Sequence, residues 1–490
     1  MGYARAIATN TAWLLSGKFL VVILSLVMTA ALARSLGVFH YGELTAAFAY
    51  LSIFGVVADF GFFQILVREI ARRPRDEVVI TNNLFTLRAV FGLSVYALAA
   101  FSVWFVPGSV YSDEVKIGIL ILAAASFFLS MNTTLIGVFQ AHQEMQKAVV
   151  GDVVSRSLLL IFLLAGLKAS VPLAIIFTYY LVANLLNLII TYSYLRRRLP
   201  LHFAFDRSLW HLFFVEAWPL GVVTMLGVIY FKIDTVILSI LRDPSDVGIY
   251  GAPYKVFEFL TIIPGLFMGT VFPVITKLIT EDNDRLRRVI QAAYDVLMII
   301  VLGTVAGLIV LARGTVGLVA GQEFVVASTI TVAGQPVTAV HILMILALAL
   351  IPVYLGNLWG PVVVAYGKQS ALIRPGIIAV ILNISLNLIF IPRGSYLAAA
   401  IVTLITESYM AWSWARVARA NLPLILHQGR LARTLLAALI MMAVIWPVRN
   451  LMVVLPVGLG AAVYLTLIWL LGVIPEDFLQ VIKRSEGIRE

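Results

Sequence analysis

A chain of 490 residues that is 61% hydrophobic and 12% charged, with a mean hydropathy of +1.01, cannot cover itself with a water-soluble surface, which takes about 25% charged residues. Its formal charge of +10 points either to nucleic acid or to a membrane, and the placement of the basic residues decides between them. The absence of cysteine excludes disulfides, thiolate metal sites and cysteine nucleophiles.

Met1 to Asn10 holds a single Arg and runs into a full-length apolar stretch without a small-residue cleavage site, so it reads as a retained first helix. Apolar stretches able to cross a hydrocarbon core of about 30 Å then recur along the chain. They fall at 10–33, 43–66, 82–106, 116–139, 149–167, 172–195, 211–240, 249–275, 289–312, 337–360, 372–391, 396–415, 432–447 and 452–472. Inside lipid the backbone must satisfy its own hydrogen bonds, so these spans are helices. The fold class expected is therefore an all-α integral membrane protein with about 14 transmembrane helices.

Loops after even-numbered spans carry basic clusters, such as Arg68 to Arg75, Arg196 to Arg198, Arg285 to Arg288 and Arg416 to Arg433. The opposite loops carry one basic residue each, among them Arg34, Lys168, Arg313 and Arg449. Arg5, Lys483, Arg484 and Arg489 place both termini on the basic side, which the positive-inside rule makes cytoplasmic. The charge thus reports topology in the cell membrane, and no nucleic acid partner is expected. The longest loop, Arg313 to Pro336, is too short for a domain and has room for a surface helix near Gln322 to Ser328.

Trp13 followed by Val38-Phe39-His40-Tyr41-Gly42 is echoed by Trp218 followed by Val247-Gly248-Ile249-Tyr250-Gly251. An offset of six spans preserves orientation, so the echo implies two parallel six-helix repeats about an axis along the membrane normal, around a central cavity. The expected divisions are 1–200, 201–420, and 421–490 for the last two helices and the tail. No GxxxxGK[ST], HExxH or serine-histidine-acid grouping occurs, and the six histidines form no ligand-spaced cluster. A transporter without cofactor or metal, not an enzyme, is expected.

Asn10 with Trp13, Lys18, Ala33-Arg34-Ser35-Leu36-Gly37, Tyr41-Gly42, Ala58-Asp59-Phe60-Gly61 and Val67-Arg68-Glu69-Ile70 together resemble the opening of polysaccharide-repeat flippases of the Wzx type. These belong to a larger group that also holds multidrug and toxin extruders and lipid II flippases. The resemblance implies alternating-access export of a polyprenyl-diphosphate-linked oligosaccharide from the cytoplasmic to the outer leaflet. A cation-coupled multidrug exporter of the same fold and a lipid II flippase are the alternatives.

A diphosphate cannot cross hydrocarbon without compensating cations. Lys18, Arg88, Arg156, Lys232 and Lys255 lie within the spans, where basic residues mark pathways. Arg88, Arg156 and Lys255 also have a structural reading. Arg88 and Arg156 fall near span ends, where a long side chain snorkels, and Arg156 can pair with Asp152 at i,i+4. Lys255 can pair with Glu258 at i,i+3, whereas Lys232 and Asp234 point to nearly opposite sides of one helix. Asp59 and Glu407 are the carboxylates expected to couple transport to H+ or Na+, against a bracing role between helices. Membrane lipids and a glycosyltransferase or polymerase of the same glycan are the expected partners.

Overall fold

In the computed structural model, residues 2–108, 110–420 and 428–474 are described, with side chains given for Gly17 and from Leu20 onward, Gln428 excepted. The chain divides into two compact units, Met1–Gly248 and Ile249–Glu490.

The first unit is built from α1 (Gly2–Asp59), α2 (Phe62–Arg72), α3 (Glu77–Ser102), α4 (Asp113–Ala141), α5 (Met145–Lys168), α6 (Leu173–Leu195) and α7 (Arg207–Leu241). Helix α1 packs along α5 and α7, and α4 packs along α6. Phe177 of α6 seats its ring where a Cβ on Gly118 would stand, so a glycine lets these two helices close.

Helix α1 holds two expected spans in one 58-residue run, bent at Gly37 (φ 70, ψ −179). That φ is open to glycine and strained for residues with a Cβ. Just beyond the bend, a Cβ on Gly42 would meet the carbonyl of Pro244, and one on Gly248 would meet the carbonyl of Val38. The backbone after the bend therefore lies directly on the Pro244–Gly248 turn.

The second break, Phe60-Gly61, places both residues at positive φ (46 and 78). A Cβ on Gly61 would stand 3.0 Å from the Gly221 nitrogen, and one on Gly221 would stand 2.8 Å from the Phe60 carbonyl oxygen. The Asp59-Phe60-Gly61 segment is thus a tight turn pressed onto α7, within a cluster of Phe60, Phe62, Phe91, Phe214 and Trp218 rings. Beyond it α2 is a separate helix. Buried Glu69 gathers Arg68, Arg72 and Arg73 at 3.0, 3.6 and 3.8 Å, and Arg68 reaches Glu216 of α7 at 3.1 Å.

Residues 199–206 hold α7 to the rest of the unit. Asn82 Nδ2 donates to the Pro200 carbonyl at 3.1 Å, and the His202, Ala204 and Asp206 amides donate to Asn82, Thr86 and Asn83 at 3.2, 2.9 and 2.7 Å. Alternate amides facing one helix give the segment an extended, strand-like period. Asp206 then caps α7, accepting from the Ser208 and Leu209 amides. Helix α7 belongs to the first compact unit, where these bonds and the Phe60–Gly221 approach hold it.

Helix α8 (Pro244–Leu260) starts at the end of the first unit and continues into the second. The second unit contains α9 (Ile262–Glu281), α10 (Asn283–Val319), α11 (Gln322–Val326), α12 (Ala339–Ala365), α13 (Ser370–Arg419), α14 (Gln428–Ile445) and α15 (Val454–Leu470). Pro264 has no N–H for the carbonyl of Leu260, four residues earlier, and the chain breaks between α8 and α9 at Thr261. Tyr354 of α12 supplies the missing donor, its hydroxyl bonding that carbonyl at 3.2 Å. Helix α13 holds two expected spans joined at Ser395 (φ 45, ψ −134). The Tyr396 hydroxyl beside this bend donates to the Val337 carbonyl at 2.7 Å and accepts from the Thr329 amide at 3.2 Å. It thereby ties down the longest loop, where the expected short helix is α11. A hairpin pairing Thr331–Val332 with Gln335–Pro336 follows, turned by Ala333 and Gly334 at positive φ. The last two helices are fixed to α10 by Arg430–Asp295 at 2.8 Å and by the Tyr464 hydroxyl on the Ile299 carbonyl at 2.7 Å.

Among the described residues, ten helical segments are long and apolar enough to cross a membrane, where about fourteen spans were expected. The difference lies in how helices join and end. Leu20–Arg72 and Ser370–Arg419, at 53 and 50 residues, each carry two expected spans, the first broken at Gly37 and at Phe60-Gly61 and the second at Ser395, and the last two expected spans fall on helices of 18 and 17 residues. The protein is a multi-pass, all-helical membrane protein.

Candidate functional site

Helix α3 begins at Glu77, five residues ahead of the expected span, so Arg88 sits about three turns inside it. It does not snorkel. Its side chain is 1% exposed, and Nη2 donates to Asp59 Oδ1 at 2.6 Å and to Ser130 Oγ of α4 at 3.3 Å. Nε and Nη1, also buried, make no hydrogen bond among the described residues. The Phe60-Gly61 turn ends α1 at Asp59 and leaves its carboxylate 29% exposed beside the guanidinium. A diphosphate candidate and a coupling candidate, far apart in sequence, are therefore one ion pair.

One turn back along α1 from Asp59, Gly55 lines a cavity of about 350 Å3. Tyr96, two turns along α3 from Arg88, is also in its wall, with Ser52, Ser126, Ser155, Tyr180 and Asn184. Arg156 and Asp152 of α5 face it and pair at 3.0 Å, both about one-third exposed, while Arg156 Nη1 also reaches Ser25 Oγ at 3.4 Å. The volume lies in the range of small-molecule sites, about 300–1,000 Å3. Phe48, Leu51, Leu122, Leu129 and Leu159 complete a mainly apolar wall, in which these hydroxyls, the amide and the ion pair can hydrogen-bond a polyhydroxylated guest. Asn184 already spends Nδ2 on the Ala125 carbonyl at 3.1 Å, an interhelical bond.

Lys232, Lys255 and Glu407 lie on other helices. Lys232 lies half-buried on α7, and Asp234 is buried there, its Oδ1 accepting from the Thr235 amide at 2.7 Å. Lys255 pairs with Glu258 at 2.8 Å along α8. Glu407 is buried on α13, next in sequence to Thr406, whose hydroxyl accepts from Asn383 at 3.3 Å. The Lys18 side chain lies outside the described residues. Among the described residues no three His, Asp or Glu side chains gather as a metal site.

Sequence reasoning missed two features. Glu69 of the Val67-Arg68-Glu69-Ile70 motif is the buried acid that organises three arginines, and its spacing to Arg72 and Arg73 is the available signal. The second unit also holds a cavity of about 570 Å3, walled by Tyr294, Trp359 and Trp412 and ending at Arg416 and Arg419. Those arginines had been read for topology alone, although Trp412 stands at i−4 from Arg416.

Residues 7–279 match the sequence profile described as polysaccharide biosynthesis protein. A Shigella flexneri protein named as an O-antigen transporter is 23% identical over 291 residues, covering 56% of this chain and 67% of that protein. A Haloferax volcanii protein named as a low-salt glycan biosynthesis flippase is 24% identical over 188 residues, or 37% of each chain. This chain therefore aligns with about two thirds of the first relative and little more than a third of the second. Among solved structures, the lipid II flippase MurJ in an inward closed conformation superposes with a TM-score of 0.73 at 16% identity, covering 92% of this chain and 96% of that one. An inward-facing multidrug resistance transporter of the MATE family gives 0.61 at 14% identity, covering 82% and 95%. At these identities the likeness is one of fold.

Proposed function

We propose, from the premise that this chain belongs to the polysaccharide biosynthesis protein family, that it flips a polyprenyl-diphosphate-linked oligosaccharide from the cytoplasmic to the outer leaflet by alternating access. The observation that carries this reading is the Arg88 guanidinium, 1% exposed within the helices, with two donors unused beside a partly exposed Asp59. A permanent cation held in that setting has the charge and donor geometry to take a phosphate oxygen.

The two roles assigned to the pair fit one sequence of events. An arriving diphosphate engages the unused Nε and Nη1 donors of Arg88 and weakens its hold on Asp59. The freed carboxylate, 29% exposed, is the coupling site of this reading. Glu407 of α13 serves as a second coupling carboxylate. Lys18, Arg156, Lys232 and Lys255 supply further cationic contacts, and the hydroxyl-lined cavity of the first unit takes sugar.

The basic loops and both termini face the cytoplasm in this reading, the membrane is the cytoplasmic membrane, and residues 1–200 and 201–420 are parallel six-helix repeats. The lipid-linked glycan comes from a glycosyltransferase and passes on to a polymerase.

The experiment is glycan translocation in proteoliposomes loaded with a polyprenyl-diphosphate oligosaccharide, comparing wild type with Lys18→Ala, Lys232→Ala and Arg88→Gln. Protein-dependent appearance of sugar on the opposite leaflet, lost in the variants, is the expected result. No translocation, with gradient-dependent efflux of a cationic dye instead, would make the protein a drug exporter.

A further inference from the structure

The cavity of about 570 Å3 in the second unit is unused by the function proposed above. It follows α13 from Ser408 to Arg419, a rise of about 17 Å, so it runs inward from the arginine-bearing end of that helix. Its wall changes character along this path. Ile351, Pro352 and Leu355 of α12 line it with Ser408, and the rings of Trp412, Trp359 and Tyr294 follow. Arg416 and Arg419 stand at the mouth.

These arginines are the basic residues of the last turn of α13 and lie on one helix face at i,i+3. Neither forms an ion pair among the described residues, and the Arg416 guanidinium lies 5.6 Å from the Trp412 ring centre. Asp295, next in sequence to the cavity-lining Tyr294, is engaged elsewhere, accepting from Arg430 at 2.8 Å and from Gln291 at 2.7 Å. A helix C-terminus carries partial negative charge and repels anions. Two guanidiniums placed there reverse that sign and present planar forks suited to phosphate oxygens. The aromatic rings next inward offer broad apolar faces with polar edges, which suit the ring face of a sugar.

We propose that this cavity binds the phosphate-linked sugar of a lipid-linked glycan, with the phosphate on Arg416 and Arg419 and the sugar against Trp412 and Tyr294. The site rests on the flipping reading for the identity of its ligand. A diphosphate-linked glycan and an ordinary anionic phospholipid share the phosphate, and the sugar separates them.

The test is ligand titration of the full-length protein in detergent micelles, read by native mass spectrometry. The probes are a polyprenyl-diphosphate oligosaccharide, phosphatidylglycerol and inorganic diphosphate. Arg416→Gln/Arg419→Gln removes the charges, and Ser408→Trp fills the cavity while keeping them. Both variants are expected to bind the glycolipid roughly tenfold or more weakly, with phosphatidylglycerol unchanged, and the double variant alone is expected to lose inorganic diphosphate. Unchanged glycolipid binding in both variants overturns the site, as does an equal loss of phosphatidylglycerol. If the double variant elutes as misfolded protein, Ser408→Trp carries the test. Wild type that translocates glycan while the variants bind it normally sinks this site alone. Wild type that binds glycolipid through these arginines but translocates nothing sinks the flipping reading and leaves the site standing.

Discussion

The Asp59–Arg88 pair of the first unit joins α1 to α3 at 2.6 Å with its guanidinium 1% exposed, whereas the Lys255–Glu258 pair of the second unit lies along one helix at 2.8 Å with side chains 44% and 40% exposed. Both are ion pairs within helical segments of a membrane protein, yet they are under different physical control. The exposed pair joins neighbours on one helix, and its loss leaves no charge enclosed by the protein. In the buried pair, removing either partner leaves a charge in a medium that solvates it poorly. Charge inside a membrane helix is therefore informative about function only once its surroundings are known.

The largest effect that would sharpen this contrast is expected from Asp59→Ala, which strands Arg88. A loss of about 3–5 kcal/mol of stability is expected, read as a lowered unfolding temperature in detergent, with partial recovery when Arg88→Leu is added. Wild-type stability in Asp59→Ala would mean that the two pairs are alike after all. Gly42→Ala comes next, since its Cβ would meet the Pro244 carbonyl, and an expected loss of about 1–3 kcal/mol follows from overpacking against backbone. Proteolysis of the Pro244–Gly248 turn should accelerate in this variant and not in Gly269→Ala, whose Cβ meets nothing within 4 Å.

Asn83→Ala should cost about 1 kcal/mol by removing the acceptor of the Asp206 amide. Faster hydrogen exchange confined to residues 199–206 is the readout, and unaltered exchange there would show that the linker is held by other contacts. The smallest effect belongs to Lys255→Ala, at most about 1 kcal/mol. A stability loss as large as that of Asp59→Ala would erase the distinction between the two pairs. If translocation collapses while stability holds, Lys255 works on the substrate and not on the fold.

What the sequence by itself determined follows from local and compositional physics. Apolar stretches of membrane length and the i,i+3 and i,i+4 pairs at Lys255 and Arg156 all involve neighbours along one helix, so spacing alone makes them legible. The family resemblance could be read for the same reason, because its motifs mark turns such as Asp59-Phe60-Gly61 and helix ends such as Arg68-Glu69. Only the tertiary structure decided that Asp59 and Arg88 meet, that Glu69 is buried beneath its arginines, that Tyr354 answers the carbonyl freed by Pro264, and that Arg416 and Arg419 close an aromatic cavity. Apart from Glu69 and its neighbouring arginines, those partners are separated by tens of residues or lie on different helices. Hydropathy and charge patterns specify which residues a helix turns inward, but the rotation and axial shift of one helix against the next set which inward residues touch, and that depends on packing at positions such as Gly118 and Gly221, where the absence of a side chain lets the helices close.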